Sequence, residues 1–398
     1  MLVHWIWFAA LQGISLKQKL QLLEHFSDPE ELYYADMEEN AFSSSPEIAQ
    51  ALSNKDLTYA RQTVKRCADL HIRILTYRDA AYPDRLRSIY NPPLVLYYKG
   101  LLPVFETQPV IGVVGTRKAS AYGKNNALEL SRELATCGAL VVSGGAAGID
   151  TEALKGAMDT GAPVVAVLGC GVDVVFPAVN RNLFQKIQEK GCLISEYPPG
   201  SKPMPWQFPE RNRIISGLSN GVLIIEAPTK SGALITAKDA MEQGRDVFVV
   251  PGNINISTCA GSNALLQEGA MAVFSGWDVL KDYAFQFPGV AQREFVQKIP
   301  DSRNLAWVAE EVTLPVIDKN SVDNLRSDAY SDQSCEAAGL DSLSRKLLDS
   351  LDTEPVPVDE VIARVQEPAA EVLSALTRLA LLGMVLNHPG RLVSVKRK

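Results

Sequence analysis

Residues 110–123 read VIGVVGTRKASAYG, and residues 139–150 read ALVVSGGAAGID. In each, a short apolar run ends in glycine and a helical pattern starts a few residues later. Val110–Val114 is rich in β-branched residues and bounded by Pro109 and Gly115, the pattern of a buried strand. After Gly115-Thr116-Arg117, Ser120 is a candidate helix cap, and Ala127, Leu130 and Leu134 then share one face. Ala139–Val142 predicts a second strand, turning at Ser143-Gly144-Gly145 into a helix from about Asp150. Two such units predict a doubly wound parallel sheet whose turns open at the strands' C-terminal edge, where α/β sheets take ligands. Glycine turns let backbone N–H groups approach a phosphate, and helix N-termini add partial positive charge. Thr116, Arg117 and Ser143 supply side-chain donors beside Gly144 and Gly145. The glycines alone also fit tight turns with no ligand; two such turns and an arginine together favour phosphate.

The same grammar runs on toward the C-terminus. PVVAVLGCGVDVVFP (163–177) predicts a third buried strand, and short strands follow at Leu193–Ser195, Val222–Ile225 and Val247–Val250. Helices are predicted after Pro177, from Pro209, over Ser231–Gln243 and over Ser262–Glu268. EYPPGSKPMPWQFPERNR (196–213) is a long proline-rich surface loop. Upstream, YPDRLRSIYNPPLVLYYKG (82–100) bridges into the sheet with a strand at Leu94–Tyr98. The fold class is therefore an extended Rossmann-like α/β domain over residues 82–286.

Three further segments flank it. Residues 1–81 look helical throughout to about Tyr77, with the rhythm of a SAM-like or helix–hairpin–helix module or of a plain structural cap. Residues 287–335 lose periodicity in Asp, Ser and Asn clusters and predict a linker. Residues 336–398 predict three helices and a hairpin, a winged helix, whose third helix offers only Glu371 and Arg378 as charges and suits a partner better than DNA.

Composition narrows the function. The 398 residues carry a formal net charge of −7, so nucleic acid would be met by a local groove and not by a basic coat. Six scattered cysteines and four histidines suggest neither a disulfide framework nor a metal site, and a reducing cytoplasm fits. The apolar start LVHWIWFAAL (2–11) is about half the length of a membrane span and predicts a buried first helix. Catalytic motifs fail on context. Gly217-Leu218-Ser219-Asn220-Gly221 matches a nucleophile elbow but has the helix before the serine and the strand after it. Tyr122-Gly123-Lys124 lacks the P-loop hydroxyl, since Asn125 follows, and no G-x-G-x-x-G follows the first strand. No cofactor is expected.

What remains is a set of donors at one sheet edge: Arg117, Ser143 with Gly144 and Gly145, the cluster Arg211-Asn212-Arg213, and Lys230-Ser231-Gly232. Arginine forks suit phosphate. Trp206 and Phe208 lie beside the cluster, either as exposed rings on which bases stack or as a plug pinning the loop.

GTRKASAYG, VVSGGAAGID, SEYPPG, FPERNRIISGLS, SGALIT and Pro251-Gly252, in this order, resemble the DNA-processing protein A (DprA/Smf) family, as does the segment 82–100. The resemblance implies a domain that binds and protects single-stranded DNA without sequence preference, forms homodimers and helps load the RecA recombinase during natural transformation. It implies that Arg117 holds the strand and that Phe208 stacks on a base. A loop lysine of some members falls on Pro205, so that contact is lost. The rival expectation is an enzyme similar to nucleoside-monophosphate phosphoribohydrolases. Their P-G-G-x-G-T-x-x-E turn corresponds to Thr229–Thr236, where the glutamate is missing. Because the donors lie between Arg117 and Gly232, a fragment of residues 82–286 is expected to keep most of the DNA affinity.

Overall fold

The computed structural model describes residues 1–35, 45–291, 342–351, 356–365, 367–381, 384–388 and 392–395. Most of the expected linker at 287–335, Cys335 and the basic end Lys396-Arg397-Lys398 lie outside the described residues. The chain forms two compact units, Met1–Lys298 and Ile299–Lys398.

The first unit is built on a nine-stranded sheet. In chain order its strands are β1 (Arg73–Thr76), β2 (Val95–Gly100), β3 (Val110–Val114), β4 (Leu140–Ser143), β5 (Val164–Val167), β6 (Cys192–Ser195), β7 (Gly221–Ile224), β8 (Asp246–Val249) and β9 (Met271–Ala272). Their spatial order is β1-β2-β6-β5-β4-β3-β7-β8-β9. The strands from β6 to β9 along this order pair in parallel, as expected. The β2 strand runs antiparallel to β6, and β1 antiparallel to β2. The sheet is thus mixed at one edge, and β1 sits in a stretch expected to be wholly helical.

Alternation along each strand sorts the side chains into two cores. Ile111, Val113, Val141 and Leu223 face one side of the sheet, and Val110, Val114, Val142 and Ile224 face the other. On the first side lie α7 (Ala121–Thr136), α8 (Ile149–Asp159) and α9 (Arg181–Lys190). On the second lie α6 (Asp84–Arg87), α10 (Gln207–Leu218), α11 (Gly232–Glu242) and α12 (Ala260–Gln267). Ser120 caps α7 as its sequence predicts, its side chain accepting from the Gly123 N–H. A short helix, α13 (Gly276–Leu280), returns to pack on α7.

Five N-terminal helices, α1 (Leu2–Ala10), α2 (Leu16–His25), α3 (Pro29–Tyr34), α4 (Pro46–Ser53) and α5 (Thr58–Asp69), join the first of these two cores. Trp5, Phe8 and Leu23 are buried in one apolar cluster with Val95 and Tyr97 of β2, so no solvent layer separates helices from sheet. Lys19 Nζ donates to the Ala9 and Leu11 carbonyls at 2.8 and 2.9 Å and closes the end of α1. Arg66 of α5 pairs with Asp173 at 3.1 Å. Among the described residues no helix is long and apolar enough to cross a membrane.

The second unit holds α14 (Ser342–Ser350), β10 (Val356–Pro357), α15 (Val358–Val365), α16 (Ala369–Leu381), β11 (Val385–His388) and β12 (Leu392–Val395). Its small sheet has the order β10-β12-β11, and Leu347, Val361, Val372, Leu379 and Val393 make its core. Three helices with this hairpin are the winged-helix pattern.

Candidate nucleic-acid interface

From β3 the chain lays successive strands to one side as far as β6, then crosses back to place β7 on β3's other flank. The β3/β7 junction is thus the topological switch point, where turns diverge and leave a crevice at the C-terminal edge. A cleft of about 450 Å³ opens there, walled by the turn Gly115–Lys118, the segment from Pro205 into α10, and the turn from Pro228 to Gly232.

The Arg117 turn is gripped from both sides. Thr116 N donates to the Glu226 carbonyl at 2.7 Å, the Thr116 carbonyl accepts from Ile149 N at 3.3 Å, and Thr116 Oγ1 accepts from Lys118 N at 3.2 Å. Gly148 (φ +88°) makes this approach possible, because a Cβ there would lie 2.5 Å from the Thr116 carbonyl oxygen. Arg117 and Lys118 are left exposed on the rim, and Lys230 is exposed on the opposite wall. None of the three has an ion-pair partner among the described residues. Lys118 is a rim cation that the motif reading passed over. Ser231 caps α11, accepting from Ala233 N, and leaves Gly232 open to the cleft.

The third wall begins two residues earlier than expected, with α10 starting at Gln207, so Phe208 stands on a helix. Proline at 209 is tolerated because first-turn N–H groups have no intrahelical acceptor. Helical spacing then puts Phe208, Asn212 and Ile215 toward the cleft. The Phe208 ring is half-buried, with the Arg117 guanidinium 5.0 Å from its centroid and the Phe176 ring 5.6 Å away. Trp206 is 55 % exposed and meets Tyr197 edge-on.

Three expected donors are used elsewhere. Ser143 is fully buried, and its hydroxyl donates to the Val113 carbonyl at 2.7 Å inside the sheet. Arg211 lines the floor but is only 4 % exposed, and its guanidinium donates to the Gly144 and Val167 carbonyls at the strand ends. Arg213 points away from the cleft, making two bonds of 2.8–2.9 Å to the Glu196 carboxylate. Asn212 faces the cleft with its amide donating to the Gly232 carbonyl at 3.1 Å, which ties two walls together. Gly144 and Gly145 lie below the rim, Gly144 against Arg211 and Asp150, and Gly145 against Phe184. Asp150 was missed as part of this floor: burial pushes its carboxyl up to about 6, against the opposing pull of Arg211.

Ser219 is no nucleophile. It is buried between α10 and β7, donating to the Ile215 carbonyl at 2.7 Å. Cys67, Cys137, Cys170, Cys192 and Cys259 are buried free thiols, and no His, Cys, Asp and Glu cluster among the described residues has metal-site geometry.

Residues 73–284 match the model of the DNA recombination-mediator protein A family, more than half of the chain, and residues 332–391 match the DprA winged helix domain. The chain belongs to the DNA-processing protein A (DprA/Smf) family. Protein Smf of Synechocystis sp. is 32 % identical over 404 residues, covering 97 % of each chain. DprA of Streptococcus pneumoniae is 43 % identical over 207 residues, which are 52 % of this chain and 73 % of that protein. The X-ray structure of the S. pneumoniae protein aligns with a TM-score of 0.58 at 34 % identity, covering 71 % of this chain and 98 % of that one. DNA processing protein A of Helicobacter pylori, described for its single-stranded DNA binding mode, covers 54 % of this chain at 30 % identity with a TM-score of 0.49.

Proposed function

We propose that this DprA/Smf protein is a cytoplasmic, non-enzymatic binder of single-stranded DNA. In this reading it takes the strand without sequence preference, protects it, and as a homodimer hands it to a RecA-type recombinase. The observation that carries the reading is the switch-point cleft: three cations without an ion-pair partner among the described residues, Arg117, Lys118 and Lys230, ring a half-buried aromatic in a chain whose net charge is −7. Cations that track a backbone beside a ring that can meet a base are what a single strand needs. A duplex stacks its base faces internally and gains only from the cations.

The test is an electrophoretic shift with single- and double-stranded oligonucleotides of matched length and several sequences. Preference for the single strand, similar across sequences, is expected. For about three phosphate contacts, log affinity is expected to fall against log salt with a slope of roughly −2. Equal or tighter binding of the duplex refutes the reading.

A further inference from the structure

A strand–glycine–helix unit ordinarily receives a phosphate at its helix N-terminus. In this protein the two such places before α7 and α8 already hold a carboxylate of the chain itself, and only the α11 turn at Ser231-Gly232 opens to the cleft. At the β3–α7 unit the carboxylate belongs to Glu226, which is fully buried just beyond β7. Its Oε2 accepts from Ser120 N at 3.0 Å and Ser120 Oγ at 2.9 Å, and Ser120 Oγ accepts in turn from Gly123 N at 3.0 Å. Gly123 is the residue that admits it, since a Cβ there would lie 1.9 Å from Oε2. At the β4–α8 unit, Asp150 accepts from Ala146 N at 3.3 Å and lies so close to Gly144 that a Cβ there would be 2.6 Å from its Oδ2, in the turn that would otherwise cradle an anion.

Glu226 is more than a satisfied core group. Its Oε1 is buried with no hydrogen-bond partner among the described residues, so half of the carboxylate's acceptor capacity is unused. A structural cap would need only one oxygen, and Ser120 already supplies it. What the second oxygen adds is an unused acceptor and bulk at the place where an anion's oxygens would otherwise meet the helix N-terminus. The first turn of α7 has no acidic residue of its own to do this.

We propose that Glu226 is a specificity residue, an internal stand-in for phosphate that closes the switch-point cradle to inorganic phosphate and nucleoside monophosphates. Asp150 fills the second cradle in the same way. The cleft is thereby reserved for a ligand held by rim side chains, which a polymer reaches with several phosphates at once and a mononucleotide does not. This is selectivity by exclusion of the competitor.

The test is thermal melting of the full chain and of Glu226→Ala in inorganic phosphate and in chloride at matched ionic strength. The wild type is expected to show only the general stabilisation that phosphate, as an excluded salt, gives a folded chain. Glu226→Ala is expected to gain more from phosphate than the wild type does, by about 3 °C at roughly ten times its Kd and rising with the logarithm of phosphate concentration beyond that. Adenosine monophosphate is expected to act likewise. A merely structural Glu226 predicts a lower melting temperature with a response to phosphate no larger than that of the wild type, and that result overturns the proposal. If Glu226→Ala is unfolded in chloride, phosphate is expected to restore the fold, and failure to restore it counts against the proposal in the same way.

Discussion

Arg117 and Phe208 face each other at 5.0 Å, and substituting each reads a different contact. Arg117→Ala is expected to weaken single-strand binding and to lower the salt slope by roughly 0.7, the share of one phosphate contact. Phe208→Ala is expected to cost about 1–3 kcal/mol of binding with the slope unchanged, because stacking releases no counterion. It should also lower the melting temperature, since the ring packs on Phe176 as well, so affinity must be taken per folded molecule. An unchanged slope for Arg117→Ala removes that residue from the phosphate path. Asp150 gives a pH signature. Its folded value, about 6, lies above the ordinary 3.8, so the folded protein takes up a proton between about pH 4 and 6. The stability this contributes is present below about pH 4 and lost as pH rises through 6. Relative to the wild type, Asp150→Asn should therefore gain on the order of 2–3 kcal/mol between about pH 4 and 7, read from urea midpoints. A flat difference assigns the titration to another group. For Arg213 the miss is a matter of phase: once α10 begins at Gln207, position 212 is one turn from Phe208, while 213 is carried about 140° away from it. Arg211 keeps the cleft face but is taken up by the Gly144 and Val167 carbonyls. Glu226 was hidden because a single acid after VLII looks like the end of a strand, and only the fold brings it to Ser120.

Seven strands of the nine-stranded sheet were readable because each is a short apolar run, most of them β-branched, bounded by glycine, proline or polar residues. The edges were not. Strand β9 is two exposed residues, and Arg73–Thr76 mixes one exposed and one half-buried position with two buried ones. Direction was also invisible for β2, since the alternation of a strand is the same whichever way it runs. The turns that hold the cleft are more demanding. Gly148 has a positive φ and no space for a side chain, so Gly148→Ala is expected to cost about 1–3 kcal/mol of stability. Single-strand affinity should fall with it, because the displaced atoms are the Thr116 and Arg117 carbonyls. Denaturant melts and strand titrations check this, and a variant of normal affinity shows that the turn need not be rigid.

For the molecule as a whole, the shared core revises the expected minimal fragment. Residues 82–286 lack β1, which pairs with β2, and the five helices that cover Val95 and Tyr97. Such a fragment is expected to aggregate or melt early, whereas residues 1–298, the whole first unit, should fold and keep single-site affinity within a few-fold of the full chain. Melting and strand binding of both fragments decide it; a stable, fully active 82–286 piece means that the helices are dispensable cover.

The β3/β7 junction also has a consequence in time. Val110 hydrogen-bonds Asn220 across 110 residues of sequence, and the cleft needs the Arg117 turn from one side of that interval and the Lys230 turn from the other. At about 5–20 residues per second, a ribosome finishes the first wall roughly 5–20 s before the last. A nascent chain therefore carries Arg117 long before it can hold a strand, and the finished site is a late product of synthesis.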